Sequence, residues 1–139
     1  LKKECRNKDR INFIGEIESG KIPILLKKSW LLALARPANK QAEGGFPTKL
    51  GEYLLTGNPV ILTNVGDISK YLSHNYDAFI VQPDSSELFA SSLIEIFSDY
   101  NKAKSVGIQG KLTAEKQFGY NSALEGLNNF LLSKYNKRT

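Results

Sequence analysis

A chain of 139 residues, 41% hydrophobic and 24% charged, is long enough for one domain with a sizeable core. No run of about eighteen apolar residues occurs, which excludes a membrane-spanning helix, and the polar, charged N-terminal stretch excludes a secretory signal. A formal net charge of +5 leaves nucleic acid, an anionic membrane surface or a phosphorylated small molecule open by sign alone.

The basic residues are dispersed. Only Lys2-Lys3 with Arg6 and Lys8, the pair Lys27-Lys28, and the tail Lys134, Lys137 and Arg138 are dense, and no aromatic-and-basic motif of an RNA-binding sheet accompanies them. No nucleic-acid partner is expected. Cys5 is the only cysteine, so a disulfide framework and a cysteine zinc cluster are excluded, and a lone thiol suits a reducing, cytosolic compartment. Methionine is absent and the chain opens in mid-pattern at Leu1, so a piece of a longer protein is expected.

In chain order, Ile11-Asn12-Phe13-Ile14 reads as a buried strand closed by Gly15, and Ile22 to Lys28 as a short helix. Trp30 to Ala35 is a second strand, closed by Arg36-Pro37. A ten-residue loop follows, and Pro47 opens a helix that stops at Gly57. Pro59 to Thr63 is a third strand, Asp67 to Ser73 a short helix, and Ala78 to Val81 a fourth strand ending at Pro83. Ser85 to Phe97, Lys102 to Phe118 and Asn121 to Tyr135 are helical, the last with Ala123, Leu124, Leu127, Phe130 and Leu131 at helical spacing, a packing face. Continuous apolar strands alternating with helices predict α/β: a Rossmann-like parallel sheet with helices on both faces. A doubly wound domain normally has more than four strands, so the first one or two are expected to lie upstream of residue 1.

Chemistry concentrates in Glu43-Gly44-Gly45-Phe46-Pro47-Thr48-Lys49-Leu50-Gly51-Glu52-Tyr53. In open α/β sheets ligands sit beyond the carboxyl ends of the strands, where this segment follows the Trp30 to Ala35 strand. Gly44 and Gly45 lack a Cβ, so a ligand can approach the main chain. Pro47 suits the first helical position, leaving the N–H groups of Thr48, Lys49 and Leu50 pointing out of the helix start, an anion site suited to a diphosphate. Glu52 lies roughly 7.5 Å further along the axis, on the face of Thr48 and Lys49, where a carboxylate can accept both hydroxyls of a ribose. The bland alternative is an ordinary helix start with Glu52 paired to Lys49.

Phe46-Pro47-Thr48-Lys49-Leu50-Gly51-Glu52-Tyr53-Leu54, followed by Gly57-Asn58-Pro59-Val60-Ile61, resembles the signature of glycosyltransferase family 4, enzymes of GT-B fold and mostly retaining. Asn12 to Ile17 resembles the family's strand and turn beside the base, Ile80 to Asp84 with Leu88 its next strand and helix, and Lys111 to Phe118 with Asn121 onward its closing helices. The likeness covers about residues 9 to 132. It implies the truncated C-terminal, donor-binding half of a GT-B fold over residues 1–139. Glu52 would hold the donor ribose, the segment Gly44 to Leu50 the diphosphate, and the main chain at Gly15, Glu16 and Ile17 the base. Many members carry a glutamate eight residues before the one matching Glu52; that position is Gly44 here, and Glu43, one residue off register, is the candidate for the donor sugar. No residue matches the basic pair that neutralises the leaving diphosphate in the family, so no catalytic residue is assigned.

The function implied is transfer of a sugar from a UDP- or GDP-linked donor to a glycan or lipid-linked acceptor, with retention, in bacterial surface polysaccharide (O-antigen or capsule) synthesis. The donor is substrate; no cofactor and no metal are expected, since no His, Cys, Asp and Glu grouping has ligand spacing. The chain's own N-terminal acceptor-binding domain is the expected partner. A cytoplasmic location follows, with peripheral association of the full enzyme at the inner membrane face. The isolated chain is expected to bind donor and transfer nothing. Alternatives are a non-catalytic nucleotide- or protein-binding module and a sugar-nucleotide epimerase of similar architecture. His74 reads as a surface cap, Asp67 as a residue of a helix start, and Trp30 and the phenylalanines as core; contact of the Asn64 to Gly66 turn with donor or acceptor is the less favoured reading of that turn.

Overall fold

The computed structural model describes residues 8–119 together with residues 124 and 132. Its elements are α1 (Ile22–Lys28), β1 (Leu32–Leu34), α2 (Lys40–Glu43), α3 (Thr48–Leu55), β2 (Val60–Thr63), α4 (Ile68–Tyr71), β3 (Phe79–Val81), α5 (Ser86–Ser98) and α6 (Tyr100–Gln117), with 3-10 turns at Lys8–Arg10 and Ser19–Lys21. The three strands form one parallel sheet in the order β1-β2-β3, with Leu32 opposite Val60 and Ile61 opposite Phe79.

All four residues of β2 are buried, as an apolar strand covered on both faces requires. Because alternate side chains point to opposite faces, Val60 and Leu62 enter one core and Ile61 the other. The first core adds Leu50 and Leu54 of α3, Ile68, Leu72 and Ala114; the second adds Phe79, Val81, Ile96, Ala103 and Val106. Helix α6 contributes to both. It crosses the amino ends of the strands at two glycines where backbone meets backbone. A Cβ on Gly107 would lie 2.5 Å from the Asn58 carbonyl carbon, and one on Gly110 would lie 2.4 Å from the Asp77 oxygen. Asp77 is buried there, accepting from the Ser73 N–H at 2.8 Å and the Thr113 hydroxyl at 3.1 Å.

Five of the expected helices and three of the expected strands are present, their ends within one or two residues of expectation; α4, for example, stops at Tyr71 rather than Ser73. Ile11 to Ile14 is the exception among the strands. It is not one of the three strands of the sheet, and Ile11, Phe13 and Ile14 are exposed. In the doubly wound order 3-2-1-4-5-6, β1-β2-β3 correspond to the 4-5-6 half, and a strand just before that half belongs at the far edge, with two other strands between it and β1. An apolar run without its ladder neighbours does not make a strand. Trp30, expected in the core, is 68% exposed, its ring against Tyr100 at 5.0 Å and its carbonyl accepting the Tyr100 hydroxyl. Phe13 and Phe97 also lie outside the cores, whereas Phe79 is buried. The helix expected over Asn121 to Tyr135 lies outside the described residues, apart from Leu124 and Leu132. No described helix is long and apolar enough to cross a membrane.

Candidate functional site

Strands in parallel present their carboxyl ends together, at Leu34, Thr63 and Val81. Three connections meet there. Thr63 joins the first two. Its hydroxyl donates to the Arg36 carbonyl and accepts the Arg36 N–H, both at 2.8 Å. The Arg36 guanidinium then donates to the Gly45 carbonyl at 3.1 Å, bracing the glycine loop from beneath. The Asp84 carboxylate, at a left-handed φ of 60°, accepts the Ala38 N–H at 3.2 Å, tying the third connection to the first. Arg36, Thr63 and Asp84 were not singled out in the sequence; only Arg36-Pro37 closing a strand hinted at the first.

The connection from β1 to α3 is not a bare loop. Residues Lys40 to Glu43 form α2, because the Asn39 side chain accepts the Ala42 N–H at 2.8 Å and ends the turn's unsatisfied donors. Gly44 closes α2, its N–H bonded to the Lys40 carbonyl. Gly44 and Gly45 are not demanded by the fold, since added Cβ atoms would come no nearer than 3.4 and 3.9 Å to any neighbour. Gly66 is different. It holds φ at +66°, and a Cβ there would sit 3.0 Å from the Ala42 oxygen and 3.2 Å from the Glu43 oxygen. The Asn64 to Gly66 turn is thereby packed directly against the Glu43-Gly44-Gly45 segment. Glu43 itself is exposed.

Phe46 anchors the far side of the loop. Its ring lies 5.2 Å from Tyr71 and 5.1 Å from Phe118, in an aromatic triad on the α3 face of the sheet. Pro47 is the residue before the helix, with ψ at 112°, rather than its first helical residue. Its carbonyl takes the Leu50 N–H at 2.9 Å. The outward donors therefore narrow from three to two, the N–H groups of Thr48 and Lys49, at the positive end of α3. Leu50 and Leu54 point the other way, fully buried, and fix the helix on the sheet.

Lys49 and Glu52 are exposed and enter none of the ion pairs among the described residues, which join Lys21 to Glu18, Lys70 to Asp67 and Lys111 to Glu115. The pairing of Glu52 with Lys49 is absent. Glu52 instead lines a cleft of about 300 Å³ between α1 and α3, with Pro23, Leu26, Lys27, Leu55 and Thr56. The Asn58 amide fixes that cleft by donating to the Leu26 and Lys27 carbonyls at the end of α1. Gly15, Glu16 and Ile17 do not line it; Gly15 turns with φ at 71° and Ile17 is half-buried. A second pocket of about 400 Å³ lies at the carboxyl ends beside Arg36, Thr63, Asp84 and Phe89. His74 Nδ1 accepts the Ile80 N–H at 3.0 Å, which closes the edge of β3. Asp67 precedes α4 and pairs with Lys70 at 2.9 Å.

The fold is shared with solved structures. Sucrose-phosphate synthase from Thermosynechococcus elongatus superposes with a TM-score of 0.77 at 17% identity, over 93% of this chain and 31% of that one. HepE of Anabaena, in complex with UDP-glucose, gives 0.77 at 21% identity over 91% and 33%. The C-terminal domain of a glycosyl transferase group 1 family protein from Francisella tularensis gives 0.67 at 21%, over 77% and 53%. The chain thus spans about a third of the first two. No curated protein matches it in sequence. The sequence profile described as glycosyl transferases group 1 matches residues 1–113, and the chain, with its α/β Rossmann-like parallel sheet, belongs to that family.

Proposed function

We propose that residues 1–139 are the donor-binding half of a sugar transferase, completed by upstream strands of the same domain and by an N-terminal acceptor-binding domain. The observation that carries this reading is the α3 start. The outward N–H groups of Thr48 and Lys49, and the Lys49 ammonium and Glu52 carboxylate, which enter no ion pair among the described residues, share the start of α3 beyond the carboxyl end of β1. A diphosphate sits at the N–H groups of Thr48 and Lys49, against the open main chain of Gly44 and Gly45. The nucleoside lies along α3 into the cleft with α1, its ribose hydroxyls donating to Glu52. The base reaches toward Gly15, Glu16 and Ile17, and Glu43 borders the donor sugar.

When the bond from the anomeric carbon to the diphosphate oxygen breaks, negative charge grows on the diphosphate. The helix-terminal donors and Lys49 stabilise that charge in proportion to its growth, which lowers the barrier. Acceptor, retention of anomeric configuration, a role in surface polysaccharide synthesis and work at the inner membrane face belong to the complete enzyme and are part of the same proposal. UDP is favoured over GDP because HepE, of the same fold, is complexed with UDP-glucose. Calorimetric titration of the chain with UDP, GDP and ADP tests the reading. One nucleotide should bind, and Glu52→Ala should weaken it by about 1–3 kcal/mol, the cost of an unpaired polar partner. Equal binding by the variant would sink the ribose assignment.

A further inference from the structure

A groove of about 430 Å³ runs between α4 and α6, on the side of the molecule toward the amino end of β3. That volume falls within the range of small-molecule clefts, about 300–1,000 Å³. Its floor is the Asp77–Thr113 pair. The Asp77 carboxylate is buried with two donors, the Ser73 N–H and the Thr113 hydroxyl, and Thr113 spends its single proton on it. The floor therefore offers a ligand no free side-chain donor. The walls are Tyr71 and Tyr76, with the Gln109 amide and the Lys116 ammonium. Tyr76 is 59% exposed, on a turn in which Asn75 adopts φ of 62° and the Tyr76 N–H bonds the Ser73 carbonyl. The other cation at the rim, Lys70, is already neutralised by Asp67 at 2.9 Å.

We propose that this groove is a glycan-binding subsite, separate from the α3 site, that takes neutral, hydroxyl-rich sugar residues. Sugar hydroxyls both donate and accept. They suit a wall that mixes the Tyr76 hydroxyl and Gln109 carbonyl oxygens with amide and ammonium donors, whereas a floor without a free donor gives a phosphate or carboxylate nothing to bind beyond the rim. The Tyr76 ring supplies an exposed apolar face for sugar C–H groups. Tyr71 belongs to both the groove and the triad with Phe46, so an occupied groove abuts the support of the glycine loop.

The test is an amide-resolved NMR titration of the chain with maltotetraose, cellotetraose and α-1,6-mannotetraose, each to about 10 mM, a range that reaches millimolar affinities. At least one should shift the Tyr76, Gln109 and Lys116 amides saturably. Tyr76→Ala should weaken that binding roughly fivefold or more, and Tyr76→Phe should stay within about twofold, since the ring rather than the hydroxyl makes the contact. Glu52→Ala should leave it unchanged, which keeps this outcome independent of the donor site. Failure of all three glycans to shift those amides overturns the proposal. So does binding indifferent to Tyr76→Ala, or tighter binding of tetragalacturonate, an acidic chain, than of any neutral one.

Discussion

Replacing Gly66 with alanine probes how the turn after β2 holds the glycine loop. The native φ is +66°, where an alanine costs about 1–2 kcal/mol. Its Cβ would also stand 3.0 Å from the Ala42 oxygen and 3.2 Å from the Glu43 oxygen. Both are backbone atoms, so α2 and the loop must shift together, and crowding of this kind raises the total to about 2–3 kcal/mol. For a domain of this size, with about 4 °C lost per kcal/mol, the midpoint of a circular-dichroism melt should fall by roughly 8–12 °C. Gly20→Ala is the control: no atom lies within 4 Å of the added Cβ and φ is not positive, so its melt should move by no more than about 2 °C. Calorimetry below both transitions should then show UDP binding weakened in Gly66→Ala alone, because the displaced Gly44 and Gly45 main chain no longer flanks the α3 donors. Identical melts for the two variants would refute the packing argument. A lower melt with unchanged UDP affinity would refute the link between turn and site.

Other outcomes follow from the same geometry. Gly51 lies in mid-α3 with open space around its Cβ position, so Gly51→Ala should raise stability by about 0.5–1 kcal/mol through helix propensity, read as a higher melting midpoint. Thr63→Val keeps the volume but strips both 2.8 Å bonds to Arg36, and should cost about 1–3 kcal/mol in urea unfolding. The Glu87 carboxyl is held below its ordinary value of 4.5, first by its own backbone N–H at the start of α5, then by the Ser86 and Ser85 hydroxyls. Its small contribution to stability is present above the pKa of the unfolded chain and is lost as pH falls through the lower folded value. A carbon-detected NMR titration should place Glu87 below 4.5, and Ser85→Ala with Ser86→Ala should move it up.

Much of this architecture was readable in the residues because burial imposes pattern. Val60 to Thr63 is apolar throughout since both faces of β2 are covered, and Pro47 and Gly57 bracket α3 because one cannot continue a helix backward and the other ends it at φ of 75°. What was not readable depended on partners distant in sequence. Ile11 to Ile14 has strand composition, but a strand exists only with a ladder beside it, and the three described strands place none there. Trp30 has the composition of core, but it lies outside both packed clusters, its ring against Tyr100. Helix α2 has only four residues and is held at its start by Asn39, whose side chain and carbonyl accept the Ala42 and Glu43 N–H groups, too short a stretch for periodicity to register. In the site, the motif from Phe46 to Glu52 located α3 and the free carboxylate. The Pro47–Leu50 bond that removes one donor, and the chain from Thr63 through Arg36 to Gly45, depend on coordinates. Gly66 was named only as part of a turn; that it presses on Ala42 and Glu43 is visible in three dimensions alone.

The central claim is that a diphosphate occupies the start of α3. Amide spectra of the chain titrated with UDP and, separately, with uridine test it most directly. Thr48 and Lys49 N–H signals should move strongly with UDP and little with uridine, while signals around Glu52 move with both, since the two ligands share the nucleoside, ribose included, and differ only in the diphosphate. Equal shifts of Thr48 and Lys49 with uridine, or UDP shifts confined to another part of the molecule, would contradict the account.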